Sequence, residues 1–271
     1  MIGKLLGILG AGKNQKKPGV SHLSTIGFHV ADVNEFGMLG VYVKDTGETI
    51  EKRDNMDGFY KRLCYPNGVE LWVYLKDGLI CNLEPHFRGI HKNPVRVVKG
   101  FQDPKDEYSG VFEASAGIDP TGKDQSGELP LVFSCPSFAI HSQEKLPKIV
   151  DLSVTVFSSK INVFKNVDEF HKKMKDFAPN FYIPTGTFDP TTNKLKEPPE
   201  PHQWFAGEVK EAKKLINPKT GIEFYWMSVE TLVMPLDVLA DRRLIDNTPE
   251  NGNIVEVHGW FTGDWIGLKK L

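Results

Sequence analysis

The sequence predicts an α+β protein, built from antiparallel sheets with two short helices and a C-terminal small β-barrel. Three observations carry this. Apolar and polar residues alternate over short runs bounded by Asn-Gly and Asp-Gly, the pattern of half-buried strands joined in hairpins. Only two segments open with helix-capping chemistry. The 25 Gly and 18 Pro among 271 residues favour many turns over long helices.

Taken in order, Ser24 to Val30 alternates, with Ile26, Phe28 and Val30 on one face, and predicts a strand. Asp32 caps a helix, because Glu35 follows three residues later in capping-box spacing. That helix runs to about Lys44 and ends before Gly47. Strands follow over 59–64, 69–75 and 79–83, separated by Pro66-Asn67-Gly68 and Lys76-Asp77-Gly78. From Phe101 to Gly127 turn residues recur without a sustained period, which predicts irregular chain. Leu129–Phe133, Ile149–Val156 and Lys160–Phe164 read as strands, and Asn166 opens a second helix that ends near Phe177. Between Pro179 and Pro201 stand six prolines, which cannot donate to a regular ladder. Beyond them Trp204–Lys210, Ile222–Leu232, Leu236–Ala240 and Asn253–Phe261 read as strands, with a hairpin turn over Asn217–Gly221. The expected organisation is an α+β body over 1–178, a proline-rich loop or linker over 179–203 and a barrel domain over 204–271.

Thirty-three Lys and Arg against 35 Asp and Glu give a net charge of −2. That balance argues against a polybasic nucleic-acid binder and against an acidic disordered tail. It is unevenly spread: +4 over 1–100, −4 over 101–203 and −2 over 204–271. Such a division points to complementarity within the molecule or between subunits. Cys64, Cys81 and Cys135 are odd in number and lack C-x-x-C spacing, so reduced thiols in the cytoplasm are expected, not a disulfide framework or a structural zinc site. The apolar run Leu5–Ala11 is far short of a membrane span. No small-x-small cleavage site follows it, so it predicts a short helix docked on the body or frayed from it. Gly7–Asn14 comes within one residue of a phosphate-binding loop. It has no room for a preceding strand, meets Pro18 in the next turn, and carries Asn14 where a hydroxyl is needed.

None of the eight histidines falls in His-Glu-x-x-His, and no Ser sits in G-x-S-x-G. The nearest constellation is in the first sheet. If Ile26, Phe28 and Val30 face the core, His29 faces away; likewise Glu70, Trp72 and Tyr74 oppose Val69, Leu71 and Val73. His29, Glu70, Trp72 and Tyr74 are therefore the candidate ligand-binding residues, with His29 and Glu70 able to hold a divalent metal. The same pattern also describes an aromatic-rich strand with an outward Glu and His.

The segment His22–Val30, Asp32–Phe36 and Pro66–Leu71 resembles one module of the vicinal oxygen chelate (glyoxalase-like) superfamily. The resemblance covers about sixty residues and implies His22 or His29, with Glu70, as metal ligands. Such sites pair two modules, and the second half of this chain carries no matching His and Glu. The tail from Trp204 to Gly267 is similar in its strand-turn rhythm to an OB-like barrel. It also resembles C-terminal segments of bacterial proteins of unknown function with N-x-x-T-G-x-x-F, here Asn217, Thr220, Gly221 and Phe224, followed by Val229 and Thr231.

The expected function is that of a non-catalytic, cytoplasmic bacterial binding or accessory protein for a protein or small-molecule ligand, without a cofactor. One alternative is a metal-dependent glyoxalase-like enzyme using His29 and Glu70. The other is single-stranded nucleic-acid binding by the tail aromatics (Phe224, Tyr225, Trp226, Trp260, Phe261, Trp265), which its −2 charge disfavours.

Overall fold

A computed structural model describes residues 19–50, 56–104, 106–118, 128–189, 191–192 and 194–265. The Leu5–Ala11 run and the Gly7–Asn14 stretch lie outside the described residues. The protein is mostly β with a minority of helix. No helix among the described residues is long and apolar enough to cross a membrane.

The first helix, α1 (Val33–Thr46), begins as its cap dictates: the Asp32 carboxylate accepts the N–H groups of Asn34 and Glu35, and Glu35 accepts the N–H of Ala31. It buries Phe36, Leu39, Gly40 and Val43, the spacing of one helical face. Four strands follow as an antiparallel sheet in sequence order: β1 (Glu48–Thr49), β2 (Phe59–Cys64), β3 (Val69–Lys76) and β4 (Leu79–Phe87). The turns at Gly68 and Gly78 have φ of 95° and 77°, which glycine adopts without strain.

The second sheet has nine strands. They are β5 (Asn93–Asp103), β6 (Asp106–Ala116), β7 (Leu129–Ser134), β8 (Lys148–Phe164), β9 (Tyr182–Ile183), β12 (His202–Ile216), β13 (Glu223–Glu230), β14 (Pro235–Asp241) and β15 (Ile254–Trp265). A separate short pair, β10 (Phe188–Asp189) and β11 (Lys194–Leu195), lies in the proline-rich stretch. Two further helices, α2 (Phe138–His141) and α3 (Val167–Lys173), are only four and seven residues long. Within the large sheet a cycle of pairings runs β12–β13, β13–β14, β14–β8, β8–β15 and β15–β12, of which β14–β8 is parallel; β15 also meets β7 in parallel at Thr262 and Ser134. β8, from the N-terminal side of the prolines, pairs with β15 from Leu152 to Phe164, so one sheet contains strands from both sides of that segment.

The main core belongs to this sheet and includes Phe112, Phe133, Val154, Phe205, Met227, Val238, Val257 and Phe261. A second cluster joins Phe36 and Val43 of α1 and Leu71 and Val73 of β3 to Phe157, Phe224, Trp226 and Leu239 of the large sheet. A third lies on the other face of β3, where Tyr60, Trp72 and Tyr74 meet Ile140. β3 is thus buried on both faces, and seven of its eight residues are buried.

Two sequence expectations fail here. Ser24–Val30 is not a strand: Ser24–Ile26 forms a 3-10 turn closed by Gly27 at φ 81°. The Ser21 and Ser24 hydroxyls accept each other's backbone N–H groups, a local bonding pattern that displaces a ladder. Within the stretch expected to be irregular, residues 101–103 and 106–116 are strand. Pairing of β5 with β6 is broken by register shifts at Val97/Lys99 and Gln102/Asp103, so no clean alternation marks these strands in the sequence.

Candidate functional site

The residues singled out in the first sheet are dispersed. Glu70 and Trp72 do meet: the buried Glu70 carboxylate accepts the Trp72 indole N–H and the Cys64 thiol, each at 3.2 Å, and lies 3.9 Å from Arg88 Nε. Tyr74 donates to Asp57 at 2.9 Å and stacks on Tyr108 with ring centroids 4.0 Å apart. Trp72 and Tyr74 are 0% and 1% exposed, because β6 and α2 cover this face. His29 sits elsewhere. Its Nε2 is 3.3 Å from Asp241 in β14, on the side of β3 where Val69 and Leu71 pack, whereas Glu70 points to the opposite side. His22, the other ligand implied by the glyoxalase-like resemblance, lies against Phe157 and Trp260, with ring centroids 5.5 and 4.9 Å away. Burial first, and His202 second, push its imidazole down to about 4.

The outer face of β8, β15 and β12 gathers a different set. Cross-strand register places Trp204 opposite His258 and His202 opposite Trp260. The Trp204 and His258 rings are nearly parallel, 11° apart in tilt and 5.2 Å between centroids. His202 meets Trp260 edge-on at 5.1 Å. Beside them, two residues before His258 on the same face of β15, lies Glu256, which is 2% exposed. It accepts the Trp204 indole N–H at 2.6 Å and the Asn162 amide, and faces His258 Nε2 at 3.0 Å. Burial would raise the Glu256 carboxyl, but its bonds to His258, Asn162 and Trp204 outweigh burial and hold it at about 2. The Trp260 indole N–H is bonded to the Ser134 hydroxyl at 2.8 Å.

This face is covered at both ends. Phe164, Phe170, Phe181, Ala206 and Ile254 pack beneath α3 and the segment after it, and His22 with Phe157 covers Trp260. Between the two covers Trp204, His202, His258 and Trp260 stay half-buried, bordered by exposed Lys160. Both indole donors are spent on the protein's own acceptors, and Phe177 and Phe181 pack against the Trp204 ring at 5.0 and 4.9 Å, so the outward ring edges and the imidazoles are what remain for a ligand.

Of this set, Trp260 belongs to the tail aromatics picked out in the sequence; Trp204, His202, His258 and Glu256 do not. The alternation of His202, Trp204 and of Glu256, His258, Trp260 along two runs is the signal that could have found them. The Asn217–Phe224 motif has a packing role. Asn217 accepts the N–H groups of Lys219 and Thr220 and donates to the Ile26 carbonyl, and the Thr220 hydroxyl donates to the Gly27 carbonyl.

Compared with family models, curated proteins and solved structures, the chain finds no match.

Proposed function

We propose that this chain is a non-catalytic binding protein whose ligand is a small planar ring, held on the half-buried Trp204–His258–His202–Trp260 face. The observation that carries this is the near-parallel Trp204–His258 pair, both rings held by the neighbouring ionised Glu256. Locked rings lose little freedom when a flat ligand settles against them. The cycle of pairings through β12, β13, β14, β8 and β15, with one parallel pair, supports reading this part of the protein as OB-like. The net charge of −2 favours a small ligand over a polyanionic strand.

The reading is tested by titrating intrinsic tryptophan fluorescence with adenosine, guanosine and uridine, and with a short oligothymidylate in parallel. Saturable quenching by a nucleoside, lost in His258→Ala, is expected. Oligonucleotide binding that weakens steeply with salt, without nucleoside binding, would transfer the function to single strands. No saturable change with any probe would overturn the proposal.

A further inference from the structure

We propose that Cys135, His141 and Asp264 form a site for one divalent transition-metal ion of the zinc class. Cys135 directly follows the end of β7, His141 closes α2, and Asp264 lies in the last turn of pleat of β15. All three are buried, at 4%, 2% and 8% exposure. Their ligand atoms lie within 4.8 Å of one another. Zinc ligands at about 2.0–2.3 Å from the ion stand roughly 3.5 Å apart, so the set need close by only about an ångström.

The surroundings match what such an ion requires. His141 Nδ1 is 3.1 Å from the Glu144 carboxylate, which is itself anchored by Lys148 at 2.6 Å. That contact fixes the ring so that Nε2 faces Asp264, 3.7 Å away. A carboxylate on the far nitrogen of a ligating imidazole orients the ring and raises its basicity. The Ser137 hydroxyl donates to Asp264 at 2.6 Å and lies 3.4 Å from Cys135 Sγ, holding both residues in place. A thiolate, an imidazole and a carboxylate together suit zinc or cobalt better than magnesium or calcium.

Binding would release the Cys135 proton to solvent and form the sulfur–metal bond, with imidazole neutral and carboxylate ionised. Three protein ligands leave one position for water. Burial on all sides keeps a substrate away, so the ion would serve stability and not catalysis. Counting cysteines argued against a zinc site, but this one needs a single thiol and draws its third ligand from the far end of the chain.

The His141 imidazole also bridges Glu144 and Asp264 without a metal, whereas a bond from the Cys135 sulfur to an ion exists only when the metal is bound. The test therefore reads sulfur. The full chain is expressed in cobalt-supplemented medium, purified, and examined by elemental analysis and absorption spectroscopy. About one cobalt per chain is expected, with a thiolate-to-cobalt band in the near ultraviolet. That band should vanish in Cys135→Ser and persist in Cys64→Ser. Glu144→Gln keeps all three ligands and should weaken cobalt affinity roughly 10- to 100-fold, which decides the matter if Cys135→Ser does not fold. A folded wild-type chain without cobalt, a band that survives in Cys135→Ser, or unchanged affinity in Glu144→Gln would overturn the proposal.

Discussion

The Asp237 carboxylate accepts the indole N–H of Trp226 at 2.7 Å, and the same group receives the backbone N–H groups of Ile90 and His91, each at 3.1 Å. One fully buried side chain of β14 thus fastens the segment that leaves β4 to the large sheet. The backbone approaches so closely that a Cβ on Gly89 would lie 1.9 Å from Asp237 Oδ2.

Replacing Asp237 by Ala leaves the buried Trp226 indole N–H, and the partly buried backbone N–H groups of Ile90 and His91, without their acceptor. A loss of roughly 3–5 kcal/mol in unfolding free energy is expected, measured by urea denaturation. Gly89→Ala should also destabilise, because the carboxylate must move and lengthen its bonds. Wild-type stability in both variants would show that this anchor contributes nothing.

Asn217 ties the tail to the N-terminal segment through its 2.6 Å bond to the Ile26 carbonyl. Asn217→Ala should cost about 2–3 kcal/mol. Asn217→Asp keeps the acceptor for Lys219 and Thr220 but turns an oxygen toward the Ile26 carbonyl. It should therefore destabilise too, and more at neutral than at acid pH, as followed by thermal melts.

Acid should weaken the fold through Glu256. Its folded pKa of about 2 lies below the ordinary 4.5, so its contribution is complete above about pH 4.5. That contribution fades as pH falls toward 2, by roughly 3 kcal/mol at most. Glu256→Gln should flatten this part of the stability–pH curve, measured by denaturation between pH 2 and about 5.

His22 should stay neutral in the fold until well below its usual range. Its folded pKa of about 4 is lower than 6.5, so its share of stability is present above pH 6.5 and declines as pH falls toward 4. Proton NMR of the His22 ring should give a midpoint near 4. A midpoint near 6.5 would mean that Phe157 and Trp260 do not enclose it.

Local chemistry made much of the fold legible. The Asp32 cap, the glycine turns after Asn67 and Asp77, and the alternation of β3 each depend on residues close in sequence. Glu70 was found because alternation gives its facing, but alternation could not say that both faces of β3 are covered. That depends on α1 and the large sheet on one side and on α2 and β6 on the other. β5 and β6 were hidden because bulges interrupt their period and their pairing to β7 and β8 supplies what propensity does not.

By itself the sequence determined a turn-rich, mostly antiparallel chain of balanced charge, with helix starts set by capping side chains. Only the tertiary structure decided which side chains share a site. Trp204 meets Glu256 and His258 because β12 pairs with β15, and Cys135 and His141 approach Asp264 because the end of β15 runs beside β7 and β8. The reason is physical. Caps and turns are bonds across a few residues, whereas strand register between distant segments is fixed by the core they jointly bury.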